Sequence, residues 1–85
     1  MTKREIEIKL EGGLEATPIA LLVQKASQFD AKIYIEADGG RKVNAKSIMG
    51  MMSLGVDAGD KVIISADGED EETAVSEIEK YLLGD

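Results

Sequence analysis

Short segments in which aliphatic and polar residues alternate are the feature that most constrains the fold of this chain. Residues 5–10 read EIEIKL and residues 32–37 read KIYIEA, so every second side chain is aliphatic or small. A period of two places the aliphatic side chains on one face of a β-strand and the charged ones on the other. Residues 61–66, KVIISA, place Val62 and Ile64 on one side in the same way. The pattern predicts strands that are buried on one face and wet on the other.

Three further segments carry helix signals. Thr17 as N-cap and Pro18 at the first helical position predict a helix that runs to about Phe29 and ends near Asp30. Its predicted buried stripe consists of Ile19, Leu22, Val23 and Ala26. Ser47 is a suitable N-cap for a short second helix, and Asp70 for a last one. The stripe of the last helix is Ala74, Val75, Ile78 and Leu82.

Turn signals between these segments complete the predicted order of elements. Gly12 and Gly13 end the first strand, and Asp38-Gly39-Gly40 joins residues 32–37 and 42–44 into a β-hairpin. The resulting order is β-α-β-β-α-β-α. Without βαβ units at regular spacing, it favours an α+β fold with one four-stranded antiparallel sheet and three helices on one face. At 85 residues, we expect a single domain over residues 1–85.

Composition excludes several classes of function. The chain has no histidine and no cysteine, which removes the usual general base, thiol nucleophiles and the commonest zinc ligands. Zinc catalysis and Ser-His chemistry are therefore not expected, and we expect no metal and no cofactor. A net charge of −7 disfavours direct binding to nucleic acid or to an anionic membrane surface. No segment has the apolar length of a signal peptide or a membrane span, so a cytoplasmic protein is expected.

Residues 41–55, RKVNAKSIMGMMSLG, pass from a basic run through Ser47 into a methionine-rich apolar segment. A short surface helix buries only one side, so some of its apolar residues should face outward as a docking surface. The alternative is that Ile48, Met52 and Leu54 fill the core and the rest are scattered exposed residues. Similarly, the basic residues near Ser47 are either a functional charge cluster or solvated residues of the hairpin. These basic residues are Arg41, Lys42 and Lys46.

Two motifs carry a family resemblance: KSIMG at residues 46–50, and the weaker GLxAxP at residues 13–18. Both are similar to the HPr family, the small phosphocarriers of the bacterial sugar phosphotransferase system. The resemblance covers essentially the whole chain and is greatest to the Gram-positive proteins and to Crh, the HPr paralogue of catabolite repression. It implies an HPr-like open-faced sandwich.

The resemblance also implies that the phosphocarrier chemistry is missing. Glu15 stands where the family has its phosphohistidine, and Thr17 where it has an arginine that helps hold the phosphate. Histidine phosphotransfer is therefore not expected. Glu15 is either a neutral surface replacement, a partial mimic of the phosphohistidine charge, or a glutamyl phosphate acceptor. Thr17 implies an altered or lost contact with the regulator that this arginine engages in relatives.

Ser47 matches the regulatory phosphoserine that HPr kinase/phosphorylase makes with ATP in HPr and Crh. The resemblance implies a non-catalytic adaptor that binds this kinase and, once phosphorylated, the transcriptional regulator of carbon catabolite control. The expected partner-binding residues are Glu15, Thr17, Lys46, Ile48, Met49 and Met52. The alternatives are a serine that only caps its helix, and an unmodified decoy for phosphotransferase components. A homodimer is compatible with the resemblance, because Crh-like proteins can exchange their first strand.

Overall fold

The computed structural model describes residues 1–10 and 15–84 of the chain. Its elements are β1 (Thr2–Glu7), α1 (Ala16–Ala26), β2 (Lys32–Ala37), β3 (Lys42–Asn44), α2 (Ile48–Met52), β4 (Lys61–Asp67) and α3 (Glu71–Leu82). The strands form one antiparallel sheet in the order β1-β4-β2-β3. The predicted α+β fold and the order of its elements are confirmed.

The sheet is covered on one face and open on the other, as the alternation predicted. In one row across the sheet, Ile64 of β4 lies beside Ile35 of β2, which in turn pairs with Val43 of β3. Helix α3 packs against β1, β4 and β2, whereas α1 packs against α2 and α3, and α2 against β3. The strand residues between the buried ones, such as Glu5 and Lys61, are exposed on the open face.

The first strand begins three residues earlier than the alternation predicted. It starts at Thr2, which pairs with Ala66 of β4, and ends at Glu7. Ile8 is buried although it lies beyond the strand, and its N–H donates to Asp60 O at 2.9 Å. Alternation therefore identified the buried face, but the end of the partner strand sets the strand boundary. The predicted turn at Gly12 and Gly13 lies outside the described residues.

The β2–β3 hairpin matches its prediction. Ala37 N–H donates to Arg41 O at 2.7 Å, and Gly40 N–H to Ala37 O at 3.1 Å. Gly39 and Gly40 have φ values of 96° and 90°, which favour glycine over residues with a side chain. The hairpin could be predicted from Asp38-Gly39-Gly40 because the turn needs positive φ values, which glycine adopts readily.

Helix α1 is shorter at its end than predicted. Its last residue is Ala26, with Ser27 as C-cap, and the chain continues as a turn in which Phe29 N–H donates to Ala26 O at 3.2 Å. The apolar Phe29 suggested further helix, yet its side chain only packs against the edge of the core. The predicted buried stripe is confirmed in full.

The start of α3 differs from the prediction for Asp70. Asp70 occupies the N-cap position, but its carboxylate makes no hydrogen bond to its own helix. It accepts instead from the N–H groups of Asp30 and Ala31, at 2.9 Å each. The Asp30 hydrogen bond is the main cause that lowers the pKa of Asp70. A tertiary contact has replaced the local cap, while the predicted apolar stripe of α3 is confirmed.

Gly68 explains why this contact forms. A Cβ placed on Gly68 would lie 2.6 Å from the Cα of Ala31, so only glycine allows the two backbones to approach so closely. The approach brings the start of α3 onto the corner between α1 and β2. No helix of the described residues is long and apolar enough to cross a membrane.

Candidate functional site

The start of α2 is built around Ser47. Its backbone is extended, with φ −110° and ψ 116°, and its Oγ accepts a hydrogen bond from Gly50 N–H at 3.1 Å. The predicted N-cap role is confirmed. A Cβ on Gly50 would lie 3.3 Å from this Oγ, so the glycine of KSIMG leaves space for the capping hydroxyl. The Ser47 side chain uses its oxygen as acceptor in this bond and is partly exposed.

Three apolar side chains of α2 face outward. Met49 is 84% exposed, Met52 55% and Ile48 49%. We call these three residues the α2 patch. The alternative in which Ile48 and Met52 fill the core is therefore wrong, although Leu54 is buried as that alternative required. Met51 is the fully buried side chain that anchors the helix.

Leu21 is an exposed apolar residue that sequence reasoning did not identify. It is 51% exposed on α1, the helix against which α2 packs. Apart from Met1, the large apolar residues exposed in the described chain are Leu21 and the α2 patch. The consecutive Leu21, Leu22 and Val23 could have revealed it, because one face of a helix cannot bury three successive residues.

The start of α1 lies two positions earlier than predicted from Thr17 as N-cap and Pro18 as first helical residue. The helix begins at Ala16 with Glu15 as N-cap, so Thr17 and Pro18 are its second and third residues. Pro18 is tolerated there because the first four N–H groups of a helix need no partner within it. Glu15 is exposed and makes no side-chain capping bond, while its backbone carbonyl accepts from Ile19 N–H at 2.9 Å.

A contact from α3 holds this first turn of α1. The Tyr81 hydroxyl donates to Pro18 O at 3.0 Å, and burial raises the pKa of Tyr81. Glu15 and Thr17 therefore project from a helix start whose backbone is fixed by packing and by Tyr81. Neither of their side chains makes a hydrogen bond among the described residues.

The three cations near Ser47 in sequence point to different places. Lys46 Nζ donates to Phe29 O at 2.6 Å, just beyond the end of α1. Arg41 Nη1 donates to Ser53 O at the C-terminal end of α2. Lys42 Nζ lies 4.9 Å from the ring centre of Tyr34 on the open face of the sheet. They do not form one cluster around the Ser47 hydroxyl.

The site therefore consists of the starts of two helices that pack together, rather than a pocket with reactive groups. One carries Glu15 and Thr17, and the other carries Ser47 and the α2 patch. Within residues 1–10 and 15–84, no three acidic side chains converge in a way that could hold a metal ion. The arrangement offers a hydroxyl that another protein can modify and an apolar surface that another protein can cover.

Comparisons with known proteins agree with this geometry. The model of the family described as "PTS HPr component phosphorylation site" matches residues 2–83. The HPr-like protein Crh of Bacillus subtilis is 46% identical over 82 residues, which cover 96% of this chain and 95% of that protein.

Solved structures show the same likeness. A phosphocarrier protein HPr from Bacillus anthracis superposes with a TM-score of 0.92 at 43% identity, over 95% of each chain. A crystal structure of Bacillus subtilis Crh, described as a dimer with a swapping domain, gives a TM-score of 0.77 at 46% identity. That match covers 96% of this chain and 93% of the Crh chain. With the family match and the shared fold together, this chain belongs to the HPr family of the phosphotransferase system, whose members include the HPr-like protein Crh.

Proposed function

We propose that this chain is a regulatory adaptor of bacterial carbon catabolite control, modified at Ser47 in the cytoplasm by HPr kinase/phosphorylase with ATP. The observation that carries the proposal is the position of Ser47: a partly exposed hydroxyl that caps α2, directly beside the exposed α2 patch. The 46% identity to Crh supports it. We also propose that residues 1–85 form one domain.

The hydrogen bonding of Ser47 is compatible with phosphorylation. In the cap, Oγ accepts from Gly50 N–H, and the hydroxyl proton is not needed for that bond. When Oγ attacks the γ-phosphorus of ATP, the proton passes to a base of the kinase and ADP leaves. Oxygen acceptors remain at the cap after the transfer. Modification therefore need not unfold α2.

The consequence of phosphorylation is a change of surface rather than of fold. A phosphoserine adds about −1.5 to −2 charge at neutral pH. That charge would stand beside Ile48 and Met49, which are otherwise an apolar contact area. A partner that fits the neutral patch then loses affinity, and one with a cationic group gains it. We propose the kinase as the first partner and a catabolite-control transcriptional regulator as the second.

The residues at the start of α1 indicate which activities of the family we do not expect in this chain. The chain contains no histidine, and Glu15 occupies the position that the family uses for phosphotransfer. We therefore propose that it does not carry phosphoryl groups between sugar transporters. Thr17 is exposed and uncharged, so the contact that relatives make with the regulator through an arginine is altered or absent here.

The test is incubation of the folded protein with HPr kinase/phosphorylase and ATP, followed by intact mass and peptide mapping. We expect one phosphoryl group, on Ser47. The matched controls are Ser47→Ala, which should stay unmodified, and Ser53→Ala, which removes the serine at the other end of α2. No modification of the folded chain would contradict the proposal. It would leave a decoy that competes with authentic HPr for enzyme I.

A second proposal concerns assembly. The crystal structure of Bacillus subtilis Crh is described as a dimer with a swapping domain. In this chain, β1 is an edge strand that pairs only with β4 among the described strands. We propose a homodimer in equilibrium with the monomer. Light scattering after size exclusion, at several concentrations, would reveal it, and a constant monomer mass would contradict it.

A further inference from the structure

Helix α2 is too short to be stable without help from its surroundings. It has five residues, whereas an isolated helix needs about 12–15 to be even marginally stable in water. One buried side chain, Met51, anchors it to the core. Its outward side chains are the α2 patch, whose orientation depends on whatever else holds the helix.

Two cations contact the surroundings of α2 at its opposite ends. At the start, Lys46 immediately precedes Ser47 and donates through Nζ to Phe29 O at 2.6 Å, beyond the end of α1. A cation is favourable there because the carbonyl groups at a helix C-terminus carry partial negative charge. At the other end, the Arg41 guanidinium donates to Ser53 O, the carbonyl of the α2 C-cap.

The Lys46 contact joins a larger polar corner. The Asp70 carboxylate binds the N–H groups of Asp30 and Ala31, the two residues after Phe29. The charge of Lys46 also contributes, after the hydrogen bonds, to the lowered pKa of Asp70. Lys46 thus connects the start of α2 to a corner where α1, β2 and α3 meet.

We propose that Arg41 and Lys46 are positioning residues that hold the two ends of α2 and thereby fix the orientation of the α2 patch. In this view they are not the binding partners of a charged group at Ser47. The inference deepens the proposed function and rests on it in one respect, namely that the patch docks partners. The contacts of Lys46 with Phe29 O and of Arg41 with Ser53 O, which we call the two tethers, are present in the unmodified chain.

Native-state hydrogen exchange of the unmodified chain tests the tethers. The variants are Lys46→Met and Arg41→Met, and the matched control is Lys42→Met, which removes the same charge from a nearby residue whose side chain lies on the open face of the sheet. For Lys46→Met we expect the amides of Met51 and Leu54 to exchange about five- to tenfold faster, because a hydrogen bond from a charged group is lost. For the exposed Arg41 we expect about two- to threefold.

Two further measurements separate positioning from general destabilisation. Exchange of the β4 amides should stay unchanged in all three variants, which would show that only α2 has loosened. Lys46→Arg, which keeps a cationic donor, should restore most of the protection. The inference is overturned if α2 amides in Lys46→Met exchange as in Lys42→Met.

The inference also states that Lys46 does not bind a charged group at Ser47. Phosphoserine installed at position 47 during translation tests this statement without any kinase. Titration by ³¹P NMR should give the same phosphate pKa in Lys46→Met and Lys42→Met. A higher phosphate pKa in Lys46→Met alone would make Lys46 a phosphate partner and overturn the inference. If α2 loosens in Lys46→Met but affinity for the kinase does not fall, the tethers stand and the docking role of the patch fails.

Discussion

The starts of α1 and α2 are both helix N-termini, but they differ in the side chain at the N-cap: Glu15 at α1 and Ser47 at α2. Each is an exposed helix N-terminus on one of two helices that pack together. At α1, Glu15 makes no side-chain bond, and at α2, Ser47 caps its helix through Gly50 N–H. The α1 start carries Glu15 in a chain that has no histidine, whereas the α2 start carries the KSIMG motif.

The difference shows that a helix start can be well held whether or not its own side chain takes part in a hydrogen bond. The α1 start is well held without a histidine, because the Tyr81 hydroxyl donates to Pro18 O and the buried stripe of α1 packs on the core. The fold therefore does not require a histidine at position 15. At α2 the serine caps its helix and, in the proposed function, is also the residue that is phosphorylated, so a change there would affect both properties.

The largest expected effect comes from introducing a phosphoryl acceptor at the start of α1. Wild-type protein should take no label from phosphoenolpyruvate through enzyme I, because the chain has no imidazole nucleophile. The double variant Glu15→His with Thr17→Arg should accept label, since an exposed imidazole would gain a guanidinium able to bind the phosphate. Transfer of radiolabel measured on a native gel checks this.

Two controls make this result interpretable. Glu15→His alone should label more weakly than the double variant, because the phosphate would lack its cationic partner. Label on the wild type that disappears in Glu15→Gln would instead identify Glu15 as an acyl phosphate acceptor. The contrast between the two helix starts would then no longer hold.

The next effect tests whether docking belongs to α2 alone. Met49→Ala should weaken binding of the kinase about five- to tenfold, because Met49 is 84% exposed and lies two residues from Ser47. Leu21→Ala on α1 is the matched control and should change affinity by less than about twofold. Isothermal titration gives both values. Equal losses would extend the docking surface across both helices.

The sequence predicted the fold better than it predicted which side chains share a surface. Alternation, turn glycines and helix stripes have local causes, so the strands, the hairpin and the buried faces of α1 and α3 were correct. The Asp70 contacts with Asp30 and Ala31 depend on how α3 meets the α1–β2 corner, which no local pattern encodes. The different directions of Arg41, Lys42 and Lys46 have the same cause.

A smaller effect compares the two helix starts by stability. Ser47→Ala should lower the free energy of unfolding by about 1 kcal/mol, because the bond to Gly50 N–H is lost. Glu15→Ala should change it by less than about 0.5 kcal/mol, since only a favourable charge near the helix dipole is removed. Urea unfolding measures both. Similar losses for the two variants would mean that Glu15 supports its helix in a way its contacts do not indicate.

The smallest effect concerns α3, a third helix start, where an acidic residue does have partners. Glu71 accepts from the Thr2 hydroxyl at 2.5 Å and from Gly68 N–H at 3.1 Å. These hydrogen bonds, led by that of Thr2, lower the pKa of Glu71 from 4.5 to about 2. Unlike Glu15, this carboxylate therefore links its helix start to another element, the strand β1.

The sign of its pH dependence follows from the lowered pKa. The folded state holds Glu71 ionised below the pH at which the unfolded chain takes up a proton, so its stabilisation is complete above about pH 4.5 and is lost as the pH falls towards about 2. Thr2→Val should raise the pKa of Glu71 and move this loss to higher pH. Glu71→Gln should flatten the stability profile in that window, whereas Glu72→Gln, at an exposed neighbouring position, should keep the wild-type profile. Urea unfolding between pH 2 and 6 distinguishes them, and identical profiles for both glutamine variants would show that partners at a helix start contribute no more than a carboxylate without them.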